Sequence, residues 1–183
     1  MNTEIIKSFT TKKDHEAVIR PVRISDLKVL HKYANDLIKE DTYILLSGKP
    51  LSLKEETKYL KDCIKSVKEK KLIHLIIEVD GEFAGSFQVR RFDKRKLHVG
   101  EIGISLAPKF RDEGLGTECL NTLIGEAKKM GLKLLTLTCF SINSRAIKVY
   151  QKVGFKIAGI IPDVYKYKGK FEEETIMYLP LDK

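Results

Sequence analysis

Hydrophobic positions change period several times along the chain, and each change marks an element. Residues 17–23 (AVIRPVR) read as a first strand. From Leu27 the apolar positions are Leu30, Tyr33, Ala34, Leu37 and Ile38, one stripe of a helix that Ser25-Asp26 would cap. The turn Gly48-Lys49-Pro50 leads to a second helix, whose start at Ser52 with Glu55 three residues on predicts a capping box. The period then falls to two. Residues 72–79 (LIHLIIEV) form a strand, Asp80-Gly81 a hairpin turn, and Phe83, Gly85, Phe87 and Val89 alternate with polar residues in the returning strand.

Residues 98–106 make a further strand, with Ile102, Ile104 and Leu106 on one face and Glu101, Gly103 and Ser105 on the other. A glycine-bearing loop after Pro108 opens a helix striped by Leu120, Leu123, Ile124, Ala127 and Met130 and stopped at Gly131. A strand over 132–139 follows, then a short helix from Asn143 to Val153 stopped by Gly154, and two strands flanking Lys168-Gly169. The order β-α-α-β-β-β-α-β-α-β-β predicts a mixed, partly antiparallel sheet with helices on both faces. Residues 17–183 read as one domain and residues 1–16 as an N-terminal extension without a predicted element.

Composition narrows the class. The chain has 183 residues, 43% hydrophobic and 32% charged, as in an ordinary folded domain. No apolar run approaches the roughly 20 residues that span a bilayer, and the first 16 residues lack the apolar segment of a secretory signal, so the cytoplasm is the expected place. The net charge of +9 admits a nucleic-acid partner. Yet the lysines are scattered among acids, as in KEETKYLKDCIKSVKEKK, which reads as a solvated helix face. Cys63, Cys119 and Cys139 lie far apart and predict buried thiols with no disulfide or metal framework. His74 is expected to pack in its strand, and His15 and His31 to face solvent without partners.

The loop Arg111-Asp112-Glu113-Gly114-Leu115-Gly116-Thr117 joins a strand to a helix. Its glycines permit close backbone approach, and the first N–H groups of the helix lack internal partners, so the loop suits a phosphate or pyrophosphate. It lacks the third glycine of a dinucleotide fingerprint and the Gly-Lys-Ser/Thr of a P-loop. Further on, Asn143, Ala146, Tyr150, Gly154 and Phe155 follow at fixed spacing. Together, Arg111-x-x-Gly114-x-Gly116 after the strand and proline ISLAP, and the Asn-x₂-Ala-x₃-Tyr-x₃-Gly-Phe pattern, resemble the GNAT superfamily of N-acetyltransferases. The tail resembles the branch holding ribosomal-protein alanine, spermidine and antibiotic acetyltransferases.

The resemblance implies acetyl-CoA as co-substrate, with no metal, and an amine acceptor on a protein or a small molecule, without membrane attachment; a homodimer is compatible with it. It implies the GNAT fold, an α/β domain whose largely antiparallel sheet splays between two parallel strands, here 98–106 and 132–139. Ile104, Ser105 and Leu106 would pair with the pantetheine arm. Arg111, Asp112, Glu113, Gly114, Leu115, Gly116 and Thr117 would hold the pyrophosphate through main-chain groups, and Asn143 would add a cofactor contact beside its helix-capping role. Tyr150 would protonate the departing thiolate, against the alternative of simple packing. Glu101 is the candidate base, directly or through water, against the alternative of an exposed strand carboxylate. Some family members carry a glutamate five residues before the asparagine; here that position is Thr138. A non-catalytic acyl-CoA sensor would keep the same loop without turnover.

Overall fold

The computed structural model describes residues 4–181. Eight strands form one sheet in the order β1-β2-β3-β4-β5-β6-β8-β7. They are β1 (Lys7–Thr10), β2 (Glu16–Pro21), β3 (Leu72–Val79), β4 (Glu82–Arg91), β5 (Val99–Leu106), β6 (Leu134–Phe140), β7 (Lys156–Tyr167) and β8 (Lys170–Pro180). The helices are α1 (Leu27–Glu40), α2 (Leu53–Lys68), α3 (Leu115–Lys129) and α4 (Ser144–Lys152). Every neighbouring pair of strands is antiparallel except β5–β6.

Period two in the strands sorts side chains between two layers. Leu75, Ile77 and Val79 of β3, Phe87 and Val89 of β4 and Ile102 of β5 share a core with Cys119, Leu120, Leu123 and Ala127 of α3. The opposite parity, with His74, Ser86, Gln88, Glu101, Gly103 and Ser105, turns toward α1 and α2. Burying the first face removes large aliphatic area from water, at roughly 25 cal/mol per Å².

Two local details differ from the sequence reading. Neither Ser25 nor Asp26 caps α1 by a side-chain hydrogen bond. A 3-10 turn at Ile24–Asp26 intervenes, and the Asp26 carboxylate instead accepts the Arg23 N–H at 2.7 Å and both terminal nitrogens of the buried Arg20 at 2.9 and 3.0 Å. A buried guanidinium needs a paired charge more than a helix end needs a cap. Second, residues 7–10, inside the expected extension, form the edge strand β1 on β2. By contrast, Ser52 and Glu55 make the expected reciprocal box, with Glu55 N donating to Ser52 Oγ and Ser52 N to the Glu55 carboxylate.

Candidate active site

The one parallel seam is short. β5 and β6 pair at Val99–Leu134, Gly100–Leu135 and Glu101–Thr136 and then part, although both strands continue. Antiparallel hydrogen bonding alternates along a strand. Phe92 N donates to Val99 O and Ala107 N to Ala84 O, which fixes the phase of the β4–β5 ladder. Residues 101, 103 and 105 therefore spend their backbone groups on β4. Ile102, Ile104 and Leu106 turn theirs toward β6, into the gap. Of the three β5 residues expected at the cofactor, Ile104 and Leu106 thus offer backbone to the gap, whereas Ser105 offers only its side chain, on the α1–α2 face. Arg111 Nε already donates to the Leu106 carbonyl at 3.0 Å.

The glycine loop closes one end of this gap. Gly114 starts α3 in the left-handed region, at φ 84°, where any side chain is strained. Most of the loop's side chains are committed elsewhere. Arg111 grips the Glu40 carboxylate with both terminal nitrogens, Asp112 pairs with Arg145 at 2.8 Å, Glu113 is buried with Lys13 at 3.3 Å, and Leu115 is in the core. Thr117 N and Glu118 N return to Gly114 O, so the N–H groups of Leu115 and Gly116 come before the first intrahelical acceptor. What the loop presents outward is main chain at the positive end of a 15-residue helix.

α4 brings in the second motif. Asn143 Oδ1 accepts the Ala146 N–H at 3.1 Å and caps the helix. Two turns on, Tyr150 packs its ring against Phe155 and lines the cavity. Burial pushes the Tyr150 phenol well above its ordinary pKa, so it is protonated at neutral pH. Thr138 and Cys139 of β6 also line the cavity. Burial raises the Cys139 thiol to about 11, which keeps it neutral and a poor nucleophile. All three cysteines are buried and unpaired.

The cavity, of about 1000 Å³, is continuous from Gly116 and Tyr150 to the face of the sheet under α1 and α2. On that face the β4–β5 ladder sets Ser86 opposite Ser105, Gln88 opposite Gly103 and Arg90 opposite Glu101. A Cβ on Gly103 would meet only Gln88, at 3.7 Å, so the glycine widens the floor. Three polar atoms of cavity-lining residues are buried without a hydrogen-bond partner: Tyr33 Oη, His74 Nδ1 and Gln88 Oε1. Each such group is destabilising by about 1–3 kcal/mol unless something polar meets it. His74, whose Nε2 lies 2.8 Å from Ser86 Oγ, is lowered by burial to a pKa of about 4 and is neutral at pH 7. The residues 42–51 between α1 and α2 roof the cavity with Ile44, Leu45 and Leu46.

Parity in β5 predicts Glu101, Gly103 and Ser105 on one face; Ser86, Gln88 and Arg90 of β4, unassigned in the sequence analysis, share it. Their even parity in β4 was the available signal. His15 and His31, expected to face solvent unpartnered, both have partners. His15 Nδ1 lies 2.6 Å from Asp80 Oδ2, and His31 Nε2 lies 2.8 Å from Leu51 O, where it helps hold the roof.

Residues 17–156 match the family described as Acetyltransferase (GNAT) domain. The chain belongs to the GNAT acetyltransferase family. Among relatives, an L-methionine sulfoximine/L-methionine sulfone acetyltransferase of Pseudomonas paraeruginosa is 35% identical over 72 residues, 39% of this chain and 42% of that protein. A ribosomal protein bS18 alanine N-acetyltransferase of Escherichia coli is 35% identical over 80 residues, 44% of this chain and 54% of that protein. The chain thus spans about half the length of the curated relatives it matches. The same GNAT fold is seen in a putative acetyltransferase of Salmonella typhimurium solved with its cofactor acetyl-CoA, at a TM-score of 0.80, 20% identity, and coverage of 91% and 95% of the two chains. Among the described residues no helix is long and apolar enough to cross a membrane, and no cluster of His, Cys, Asp and Glu could hold a metal ion.

Proposed function

We propose that this GNAT chain moves the acetyl group of acetyl-CoA to a primary amine by direct attack in a ternary complex. The observation that carries the reading is the β5–β6 split, where unpaired backbone, a helix N-terminus and Tyr150 meet on one cavity. The backbone of Ile104 and Leu106 suits a ligand arm that lies in the gap as an extra strand would. The N–H groups of Leu115 and Gly116, with the positive end of α3, suit a pyrophosphate. The main-chain N–H of Ile104, turned into the gap, would polarise a thioester carbonyl. Acetyl-CoA supplies the activated acyl group.

The residues then divide the proton work. Tyr150, held neutral by burial, has a proton for the departing thiolate. Glu101, exposed on the acceptor face, accepts the amine proton directly or through water. The neutral, buried Cys139 favours direct transfer over an acyl-enzyme. Relatives are named for L-methionine sulfoximine and L-methionine sulfone and for the alanine of a ribosomal protein, so the proposed acceptor class is the primary amine.

The test is a thiol-release assay with acetyl-CoA across amino acids, peptides, polyamines and aminoglycosides. The expected result is CoA release matched one to one by acetylated amine. Protein that binds acetyl-CoA yet turns over with no amine would make the chain a sensor. Acetyl-enzyme formed in the absence of amine would overturn direct attack.

A further inference from the structure

The charges that line the cavity are unequally free, and that difference names the acceptor. The charged lining residues are Glu55, Glu56, Arg90, Glu101, Arg111 and Arg145. Glu55 is held in its capping box, Arg111 by Glu40 and Arg145 by Asp112. Glu56 is buried, and burial raises its carboxyl toward the neutral form. Arg90 and Glu101 remain. They stand directly opposite in the β4–β5 register, both are exposed, and neither has a hydrogen-bond or ion-pair partner among the described residues. Opposite charges across a ladder ordinarily pair with each other. Here both turn to the cavity, and Glu101 sits at the last residue pair before β5 and β6 part.

From this geometry we infer that the acceptor is a free α-amino acid, its ammonium group at Glu101 and its carboxylate at Arg90. The inference rests on the proposed acetyltransferase reading and sharpens it. Cα atoms of a hydrogen-bonded antiparallel pair stand about 5.5 Å apart. Two side chains rising from such a pair can hold an ammonium and a carboxylate separated by one carbon. Guanidinium is the side chain best suited to grip a carboxylate with two parallel hydrogen bonds. A polyamine would need several free carboxylates and would meet the Arg90 cation instead. A peptide N-terminus or a protein lysine brings no carboxylate next to its amine and leaves Arg90 unmatched. The roof of Ile44, Leu45 and Leu46, with Leu45 77% exposed, meets the rest of the acceptor with apolar surface. An uncharged, apolar side chain fits there.

The test compares L-leucine, L-leucinamide, a tripeptide with N-terminal leucine and spermidine as acceptors for the full chain, with acetyl-CoA saturating. The expected result is kcat/KM at least tenfold higher for leucine than for leucinamide, which keeps the α-amine and loses the carboxylate. Arg90→Met should abolish that preference through the KM for leucine. It should leave the leucinamide kinetics, the acetyl-CoA KM and the thermal midpoint unchanged, because Arg90 is exposed and holds no other group. Leucinamide, the tripeptide or spermidine matching leucine in the native chain would overturn the inference. So would an Arg90→Met variant that keeps the preference. Those outcomes leave acetyl transfer standing. If no amine is acetylated, the acetyltransferase reading falls and the inference falls with it.

Discussion

The two ends of the cavity are built from different material. At the α3 end the surface offered to a ligand is main chain: the unpaired edge of β5 and the first N–H groups of the helix. The nearby side chains of Arg111, Asp112 and Glu113 are spent holding that main chain in place. At the α1–α2 end the surface is side chain, with partnerless Tyr33, His74 and Gln88 atoms and the free charges Arg90 and Glu101. A main-chain site depends on a few glycines and on strand phase, so it tolerates wide sequence change. A side-chain site is rewritten by single substitutions. One fold can therefore keep one activated donor while its acceptor changes.

The largest expected effect lies where the two ends meet. Tyr150→Phe keeps the ring and its packing and removes the proton, so turnover should fall by about 10²–10⁴-fold with acetyl-CoA affinity unchanged. Normal turnover measured by thiol release would show that the thiolate leaves without this help. Next comes Gly116→Val, a test of the main-chain end. The nearest atoms to a Cβ there are Val149 Cγ1 at 3.5 Å and Leu106 Cδ1 at 3.9 Å, so the protein itself has room for the first atom. The acetyl-CoA dissociation constant should rise at least tenfold, about 1.4 kcal/mol, in a variant that melts near the native midpoint. Titration calorimetry showing native affinity would remove the loop from the site. Gly114→Ala is a poorer probe, because at φ 84° it is also destabilising by about 1–3 kcal/mol.

On the side-chain end, Glu101→Gln is nearly isosteric and should lower kcat/KM for the amine about tenfold while sparing acetyl-CoA binding. A flattened acid limb in the pH–rate profile assigns it to proton transfer. A change in KM alone assigns it to holding the ammonium group. No change in either parameter removes it from the site. The last effect concerns stability and not turnover. His74 has a pKa of about 4 when folded against 6.5 when free, so the unfolded chain binds the proton first as pH falls. Its contribution is therefore complete above pH 6.5 and is lost as pH falls toward 4, with a slope of at most about 1.4 kcal/mol per pH unit. Denaturant unfolding at several pH values should show His74→Gln with a shallower slope in that window. Identical slopes would place the proton elsewhere.

The main-chain end was also the legible end. Glycines, a proline and the Asn-to-Tyr spacing constrain backbone, and constrained backbone leaves local marks, so the loop, α3 and α4 could be read from the sequence, while the splayed strand pair was implied by the family resemblance those marks carry. The side-chain end was half legible. Parity put Glu101 on the face that lines the cavity. Joining it to Arg90, however, needs the register of a ladder between strands, which a hairpin turn and a loop of changing length do not reveal. Asp26 misleads for a different reason: it looks like a cap until the turn after β2 folds its carboxylate back onto the buried Arg20 of that strand. β1 is four residues long with no helical or strong alternating signal, and only the edge of β2 makes it a strand.

The split seam has a consequence for the life of the molecule. Strands β1–β5 and β6–β8 are two half-sheets stitched along three residue pairs. A ligand that runs along the open edge of β5 and meets α3 lengthens the stitch. At a hundred times its dissociation constant, such a ligand adds about 2.7 kcal/mol to stability, enough to lower the unfolded population roughly a hundredfold. Proteases and chaperones act on that population. A ligand seated in the gap would thus shield the chain from both in step with its own concentration.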